Sequence, residues 1–436
     1  MSSEPIRFGT LFAVPQKNGL TRPKKVRGSG LPMVNMGELF AYPRIKNLEM
    51  DLVPVAETEK SFILQAGDLL FARQSLVLAG AGQCSIFMGN RAPTVFESHL
   101  IRCRLNVVAA NPVFYFYFFR SPEGRTAIEA IAEQGAGASG IRGSDLVNVP
   151  VPLPPKHVQD ETAAVLTALD DRIALLRETN ATLEAIAQAL FKSWFVDFDP
   201  VRAKRQGLAP AGMDEATAAL FPDSFVASAL GLVPKGWRPG VLGDVVRTIK
   251  SQLHPSELCA AMNYVGLEHL PRKSLTLVNW GTADGLESAK AKFSEGDVLF
   301  GKLRPYFHKV VVAPFDGVCS TDILVCQSKQ RAYYGVAAMQ LFSVELISYA
   351  DRLSNGAKMP RIGWNDIAAY PLIVPTEQIA AAYTEVVSPL LDRMNGNVFQ
   401  AQTLATLRDT LLPRLISGQI RLPLAQEAIA EATHAD

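Results

Sequence analysis

A repeat in register is the sequence feature that most constrains the fold of this chain. AGDLLFARQS (66–75) is echoed by EGDVLFGKLR (295–304), 229 positions later. Further pairs keep an offset of about 220: VPVPLPP (149–155) with YPLIVPT (370–376), LDDRI (169–173) with LLDRM (390–394), Gly137-Ala138 with Gly356-Ala357, and Asp145 with Asp366. One shorter loop in the second copy would explain the change of offset. Self-similarity at a nearly constant offset indicates one structural unit used twice.

Each copy ends in a long stretch with apolar residues at steps of three and four. Such a narrow seam is typical of a coiled coil. Residues 157–194 alone would form a helix of about 57 Å at 1.5 Å per residue. Polar Asn180 and Asn397 occupy the two seams, where such residues can fix register and orientation. Pro389, Gly396 and Pro413 predict that the second helix is kinked or segmented. The alternative is two unrelated core helices.

The parts before the helices are predicted to be rich in β-structure. Short apolar runs lie between turn residues: SLVLAG (75–80), CSIFMG (84–89), KVVVAP (309–314) and DILVCQ (322–327). The fold class is therefore α+β, with two β-rich globular domains, two long helices forming an antiparallel coiled coil, and an internal pseudo-two-fold repeat. The predicted boundaries are 1–154 for the first domain, 155–198 for the first helical spacer, 199–234 for a linker, 235–375 for the second domain, 376–420 for the second spacer and 421–436 for a C-terminal tail.

The net charge of +1 conceals an alternation along the chain. Residues 1–150 and 201–375 each carry +4, whereas residues 151–200 carry −4 and residues 376–436 carry −3. Basic globular parts attached to acidic helices favour a nucleic-acid partner for the globular parts and a different contact for the helices. The chain has no run of about 20 apolar residues and no signal-peptide pattern, so we expect a cytoplasmic protein without a membrane partner.

Motifs for catalysis and metal binding are missing. The five cysteines are scattered without C-x-x-C spacing, and the six histidines are isolated. Asn111-Pro112-Val113 lacks the second proline of an adenine methyltransferase motif, and Gly301-Lys302 is followed by leucine rather than by the Ser/Thr of a phosphate loop. Asp284, Glu287 and Lys290 have the wrong spacing for a nuclease site. We therefore expect a chain that is not an enzyme and that holds no metal and no cofactor.

Basic and amide side chains in the globular parts are the candidates for DNA contacts. Lys17, Arg22, Lys24, Lys25 and Arg27 place five positive charges within eleven residues, and GKLRPYFHK (301–309) surrounds two aromatics with cations. Basic side chains hold phosphates, and Arg, Lys, Gln and Asn can read base edges. Solvated loops are the alternative interpretation of both runs. The candidate set is Lys17, Asn18, Arg22, Lys24, Lys25, Arg27, Arg73, Gln74, Arg142, Lys250, Lys302, Arg304, His308, Lys309, Lys358 and Arg361.

The central helix and its flanks resemble a known family. LPPKHVQDETAAVLTALDDRIALLRETNATLEAIAQALFKSWFVDFDPVRAK (153–204) is similar to the central conserved region of type I restriction-modification specificity subunits. LVPKGW (232–237) looks like the start of their second recognition domain, and TLLPRLISGQI (410–420) like the end of their distal conserved helix. The resemblance covers essentially the whole chain.

The resemblance implies a non-catalytic subunit that gives a restriction enzyme and DNA methyltransferase its sequence specificity. Each globular part would be a target-recognition domain for one half of a bipartite double-stranded DNA target, with the helices as spacer. The implied partners are two modification (adenine methyltransferase) subunits and the restriction or translocase subunits, which would carry S-adenosylmethionine, ATP and Mg²⁺. A coiled-coil adaptor with two protein- or RNA-binding heads is the alternative.

Aromatic residues at the end of the first helix are the candidates for partner binding, because aromatics often anchor interfaces. We expect Phe195 and Phe198 to lie near the docked modification subunits. A buried plug at the end of the helix seam is the alternative for Trp194. The full candidate set is Phe191, Trp194, Phe195 and Phe198.

Overall fold

The computed structural model describes residues 4–135, 137–356 and 358–420 of the chain. The predicted tail (421–436) and Ala357 of the Gly356-Ala357 echo lie outside the described residues. Backbone contacts divide the chain into two compact units, Met1–Arg172 with Thr403–Asp436, and Ile173–Gln402. Each unit therefore combines a β-rich part with segments of both long helices.

The main sheet of the first unit has five strands in the order β1-β5-β3-β4-β2. Neighbouring strands are antiparallel, except that β2 and β4 are parallel. The strands are short because turn residues interrupt the apolar runs, and β3 is buried along its whole length. The strands are β1 (Phe12–Asn18), β2 (Arg44–Lys46), β3 (Leu69–Ala72), β4 (Cys84–Gly89) and β5 (Leu100–Leu105).

Two helices, α1 (Pro112–Arg120) and α2 (Pro122–Glu129), follow this sheet. The Asn111 side chain accepts hydrogen bonds from the first turn of α1, and Pro112 starts the helix, which is a favourable helix start. The six consecutive aromatic residues of α1 are all buried. The helix α3 (Lys156–Phe191) is followed by a π-helical turn, Lys192–Val196, so the helical stretch runs close to the predicted range.

The second unit contains a four-stranded antiparallel sheet in the order β6-β9-β7-β8. The order corresponds strand for strand to β1-β5-β3-β4 of the first unit. Two consecutive helices, α4 (Tyr334–Phe342) and α5 (Val344–Leu353), follow it as α1 and α2 follow the first sheet. The strands are β6 (Val246–Thr248), β7 (Val298–Gly301), β8 (Val310–Val312) and β9 (Ile323–Ser328).

Shorter elements complete each unit. The additional strands of the first unit are Ile6–Arg7, Leu31–Val34, Leu52–Val53, Gln74–Ser75, Val95–Phe96, Glu133–Gln134, Ser139–Gly140 and Pro150–Val151, and its short α-helices are Met36–Ala41 and Gly143–Leu146. The additional strands of the second unit are Phe225–Ser228, Gly231–Pro234, Arg238–Val241, Gln252–Leu253, Asn263–Val265, Gly281–Thr282, Lys290–Phe293, Gly317–Cys319 and Pro371–Val374, and its short α-helices are Asp199–Arg205, Glu215–Leu220, Leu242–Val245 and Trp364–Ala368.

Two local predictions differ from the structure. SLVLAG (75–80) is not a strand, since its strand ends at Ser75 and a 3-10 turn covers Leu78–Gly80. The exposed Leu76 and Val77 have no sheet face to cover. The stretch predicted as a linker (199–234) contains two short helices and a two-stranded hairpin, and its Phe221 is buried in the core of the second unit.

The second long helix, α6 (Glu377–Ile416), is continuous over 40 residues, so the expected segmentation is wrong. Pro389 is exposed, and so is Glu385, whose carbonyl is the one freed by the missing N–H of Pro389. Water can therefore satisfy that carbonyl, and the helix does not need to break. None of the described helices is long and apolar enough to cross a membrane.

The segments of α3 and α6 lie antiparallel within each unit. In the second unit, the Asn180 amide donates to the Met394 carbonyl (2.9 Å), and the Tyr383 hydroxyl donates to the Ala187 carbonyl (2.8 Å). Asn397 donates to the Asn180 side-chain oxygen (2.8 Å), and both asparagines are buried, as expected for seam residues. In the first unit, Arg408 of α6 forms a 2.6 Å ion pair with Asp170 of α3.

Candidate nucleic-acid interface

Several of the predicted DNA-contacting residues lie at one end of the main sheet in the first unit. β1 ends at Asn18, which pairs with Ile101 near the start of β5. β3 ends next to Arg73, whose N–H donates to the His99 carbonyl just before β5 (2.8 Å). Lys17, Asn18 and Arg73 therefore lie at the same sheet end, which is called the basic end of the first unit below.

A loop from the far end of the first domain adds to this basic end. Gln74 pairs with Gly140, and the Ile141 N–H donates to the Arg73 carbonyl (3.0 Å). Arg142 follows directly, is exposed, and forms an ion pair with Glu133 (2.7 Å). The chain thus brings together residues that lie about 70 positions apart in the sequence.

The cations of the basic loop after β1 fall into two groups, arginines that pair with acidic side chains and lysines that are exposed to solvent. Arg22 pairs with Glu59 (2.5 Å) and donates to the Pro54 carbonyl, and this arginine contributes to the lowered pKa of Glu59, behind the Ala56 backbone hydrogen bond. Arg27 pairs with Asp51 (2.7 Å). Both arginines therefore anchor the loop.

Lys24 and Lys25 of the same loop are exposed on a 3-10 turn. Lys17 is partly buried, with its ammonium 2.6 Å from the Ser61 hydroxyl and 3.7 Å from the centre of the Phe62 ring. Of the predicted cations in this region, Lys24 and Lys25 are consequently the best placed to meet phosphates.

The second unit has an equivalent basic end. β7 ends at Gly301, opposite Ile323 at the start of β9, and the Lys302 N–H donates to the Asp322 carbonyl (3.0 Å). Ile249, after β6, donates to the Val325 carbonyl (2.9 Å), and the exposed Lys250 follows it. Lys302 and Lys250 therefore occupy positions like those of Arg73 and Asn18 in the first unit.

A loop also joins this second basic end. The Ile362 N–H donates to the Lys302 carbonyl (3.1 Å), as Ile141 does to Arg73. The Arg304 guanidinium donates to the Lys358 carbonyl (3.1 Å), and Leu303 forms a bridge with Arg361. Arg361 also pairs with Asp322 (3.0 Å), and this hydrogen bond raises the pKa of the arginine. Lys302, Arg304, Lys358 and Arg361 are thus brought together.

The structure does not support a direct DNA contact by His308. Its side chain is 5% exposed, and its Nε2 lies 2.8 Å from the Phe342 carbonyl. Burial lowers its pKa, so the ring is held neutral against α4. Lys309 is partly buried, its ammonium donates to the Leu267 carbonyl, and burial lowers its pKa as well. His308 therefore acts as a core residue.

Sequence reasoning missed Arg272 and Lys273. Both are exposed, Arg272 lies 3.9 Å above the Phe307 ring, and the Lys273 N–H donates to the His308 carbonyl (2.8 Å). A signal was present, because LPRK (270–273) has the proline-basic character of LTRPKK (20–25). The contact with 304–308 could not be foreseen, since about thirty residues separate the two segments.

The four aromatics predicted to bind a partner belong to the core of the second unit. Trp194 and Phe195 pack on Tyr383, with ring centres 5.6 and 4.9 Å away, and Phe198 packs edge-on against Trp237 at 5.7 Å. All four, including Phe191, are buried. Their positions do not support docking of another subunit, because the rings are already covered by their own chain.

Two findings bear on chemistry. Within residues 4–135, 137–356 and 358–420, no group of three or more His, Cys, Asp or Glu side chains is arranged to hold a metal ion. The buried thiols of Cys84, Cys103, Cys319 and Cys326 have raised pKa values because burial disfavours the thiolate. These thiols are therefore poor nucleophiles.

Comparison with known proteins finds one family that this chain resembles. Residues 14–185 match the family model of the type I restriction modification DNA specificity domain. This part of the chain is therefore similar to the DNA specificity domain of type I restriction-modification systems.

Relatives extend the similarity beyond the matched domain. The MjaIX specificity subunit of Methanocaldococcus jannaschii is 25% identical, with 71% of this chain and 69% of the relative covered. The HindI specificity subunit of Haemophilus influenzae is 25% identical, with 82% and 87% covered. The crystal structure of the S subunit of a type I restriction-modification system from M. genitalium has a similar fold at 13% identity, with a TM-score of 0.54 and coverage of 94% and 95%.

Proposed function

We propose that this chain is the DNA-recognition subunit of a type I restriction-modification complex and reads a bipartite double-stranded target. The observation that carries the proposal is the equivalent basic end of the sheet in each unit, with Arg73 and Lys302 at matching positions. One reading surface per unit accounts for two half-sites, and a cationic surface supplies the phosphate contacts that dominate affinity for DNA.

In this proposal the chain recognises and positions, and the chemistry belongs to its partners. Two modification subunits would methylate adenine with S-adenosylmethionine, and restriction subunits would use ATP and Mg²⁺ for translocation and cleavage. All of them would act on DNA in the cytoplasm. The helix pair would be a coiled-coil spacer that relates the two recognition domains by a pseudo-two-fold axis.

The salt dependence of DNA binding tests the phosphate contacts of the first unit. Lys24→Ala with Lys25→Ala should reduce the slope of log affinity against log salt by about 0.9 per lost contact. The matched control is Lys46→Ala with Arg91→Ala. Lys46 ends β2 and Arg91 follows β4, so these two exposed cations lie at the sheet end opposite to the basic end. The control should keep the slope of the natural chain.

The binding should be measured on the full chain with its modification subunits, using duplexes with and without the methylated site. Methylation mapping in a host with and without this chain supplies that site. An equal slope in both double variants contradicts a phosphate role for Lys24 and Lys25. Binding without any preference for a split DNA sequence would favour the adaptor alternative.

A further inference from the structure

The connections that follow β3 and β7 occupy the same place in the two units. Residues 73–83 join β3 to β4, and residues 302–309 join β7 to β8, each leaving from the basic end of its sheet. Each connection starts with a cation, Arg73 or Lys302, and each is held at that cation by the loop described above. The two connections are called the first and second tip loops.

Both tip loops expose large apolar side chains. Leu76 and Val77 of the first are 87% and 62% exposed, and Tyr306 of the second is 49% exposed. Single exposed apolar groups are ordinary on a protein surface. These groups differ in their place, because they lie at the basic end of each sheet, in the loops that begin with Arg73 and Lys302. The sequences share no similarity at these positions, yet both loops place apolar groups beside a basic residue.

The second tip loop is held by strained backbone. Arg304 and His308 flank the turn Pro305–Phe307, and both have left-handed φ angles, +51° and +50°. Lys273, whose N–H contacts the His308 carbonyl, has a φ of +53°. Left-handed non-glycine residues cost free energy and cluster where the conformation serves binding.

Side chains hold the same turn from both sides. The Arg272 guanidinium lies 3.9 Å above the Phe307 ring, and the Tyr306 and Phe307 rings meet edge to face at 4.6 Å. Below the turn, the buried His308 contacts the Phe342 carbonyl. Tyr306 is therefore presented on a fixed support, which lowers the entropy cost of binding through it.

We propose that the two tip loops are the base-reading elements of the two units, with Leu76 and Val77 contacting bases of one DNA half-site and Tyr306 contacting bases of the other. The inference rests on the proposed function. Apolar side chains discriminate bases by contact with the thymine methyl group in the major groove. The cations next to each tip, Arg73 in one unit and Lys302 in the other, hold the adjoining phosphates.

Substitutions at the tips test this assignment. The variants are Leu76→Ser with Val77→Ser, and separately Tyr306→Ser. These side chains are exposed, so folding should be unaffected. In each variant, discrimination between the natural half-site and single-base mismatches should fall roughly tenfold or more at one half-site. Discrimination at the other half-site should be unchanged.

Matched controls are exposed apolar residues away from the tips. The controls are Val108→Ser and Leu232→Ser. Val108 follows the other end of β5 and is 82% exposed, and Leu232 lies in the separate hairpin Phe225–Pro234. Both controls should retain the natural preference at both half-sites. Tyr306→Phe keeps the ring and should retain most of the preference at its half-site.

The readout is methylation mapping of the complete complex, followed by competition binding with mismatched duplexes. Unchanged discrimination in both tip variants overturns the inference, and so does an equal loss of affinity for all sequences. In either case the natural chain still selects a bipartite site, so the proposed function stands. If the natural chain selects no split site at all, the proposed function itself fails.

Discussion

Asp68 and Asp297 explain at the level of single residues why the chain repeats a Gly-Asp pair. Each carboxylate accepts a hydrogen bond from the N–H three residues before it, Gln65 and Ser294, both at 2.8 Å. Gly67 and Gly296 have φ angles of +93° and +82°, which glycine adopts without strain. The pair thus makes the tight turn into β3 and β7, the strands that carry the two tip loops.

The repeated aspartates have different surroundings. Asp68 is buried and forms a bidentate pair with Arg104, with both oxygens at 2.7 Å. Asp297 is buried as well, and the burial raises its pKa. The same backbone hydrogen bond is therefore accompanied by an ion pair with Arg104 in the first unit and by a hydrogen bond with the Gln327 side chain in the second. A repeated sequence pair does not determine its electrostatic environment.

A pH-dependent stability is predicted for the second unit because His308 is buried in its neutral form. Burial lowers the folded-state pKa below the ordinary value of 6.5. The unfolded chain then binds more protons than the folded one, so the free energy of unfolding falls as pH drops from 6.5 towards the folded-state pKa. The slope is at most about 1.4 kcal/mol per pH unit in that window.

The comparison is with His308→Gln, whose amide can still donate to the Phe342 carbonyl but does not titrate. Urea unfolding of both chains from pH 8 to pH 5 measures the difference in unfolding free energy. The difference should be constant above pH 7. Below pH 6.5 the natural chain should lose unfolding free energy relative to His308→Gln. A constant difference over the whole range would contradict the assignment of His308 as a buried neutral group.

At the scale of elements, the end of α3 packs into an aromatic cluster in the core of the second unit. Phe191, Trp194 and Phe195 surround Tyr383 of α6, whose hydroxyl is bonded to the Ala187 carbonyl. Trp237, at the start of the second β-rich part, packs on Phe195 at 5.7 Å. The aromatic run therefore connects the helix pair of the second unit to its globular part.

Truncation of Phe195 should destabilise the second unit. Phe195→Ala removes a buried ring from this cluster and should lower the free energy of unfolding by about 3–5 kcal/mol. The neighbouring Val196 is 46% exposed, and Val196→Ala should change it by less than about 0.5 kcal/mol. Urea unfolding followed by tryptophan fluorescence measures both, since Trp194 and Trp237 lie in the cluster.

A different result would restore the original hypothesis for this aromatic run. If Phe195→Ala keeps the stability of the natural chain but no longer co-purifies with modification subunits, the ring is a docking residue. Its burial between Tyr383 and Trp237 makes loss of stability the expected outcome.

At the scale of the whole molecule, the proposed function implies that the length of the helices determines the distance between the two DNA half-sites. In the proposal, α3 and α6 together separate the recognition domains, and one turn of B-DNA, about 34 Å, returns a groove to the same side. The Asn180 and Asn397 contacts hold the register of the two helices within the second unit. The helix length should therefore be part of the specificity.

An insertion in α3 tests this role. Four residues placed between Arg177 and Asn180 lengthen the helix by about 6 Å and rotate the remainder of the helix by about 40°. The variant should lose the natural site, or should methylate half-sites with the same bases at a larger separation. Methylation mapping distinguishes these results from full modification of the unchanged site, which would show that the helices do not set the spacing.

Features that depend on local pattern can be predicted from the sequence alone. The seam of apolar residues predicts both long helices, because its steps of three and four place one face inwards. The Gly-Asp turns and the alternation of short apolar runs predict the strands β4, β8 and β9. The clusters of charge in 17–27 and 302–309 predict where cations concentrate along the chain.

Which of these residues are free to act depends on the tertiary structure. Charge along the chain does not show that Arg22 and Arg27 pair with Glu59 and Asp51, because those acids lie 24 to 37 positions away. The sequence likewise marks His308 and Phe195 as candidates for binding, whereas packing of distant helices buries both. A side chain's chemistry is local, but its exposure depends on residues far along the chain.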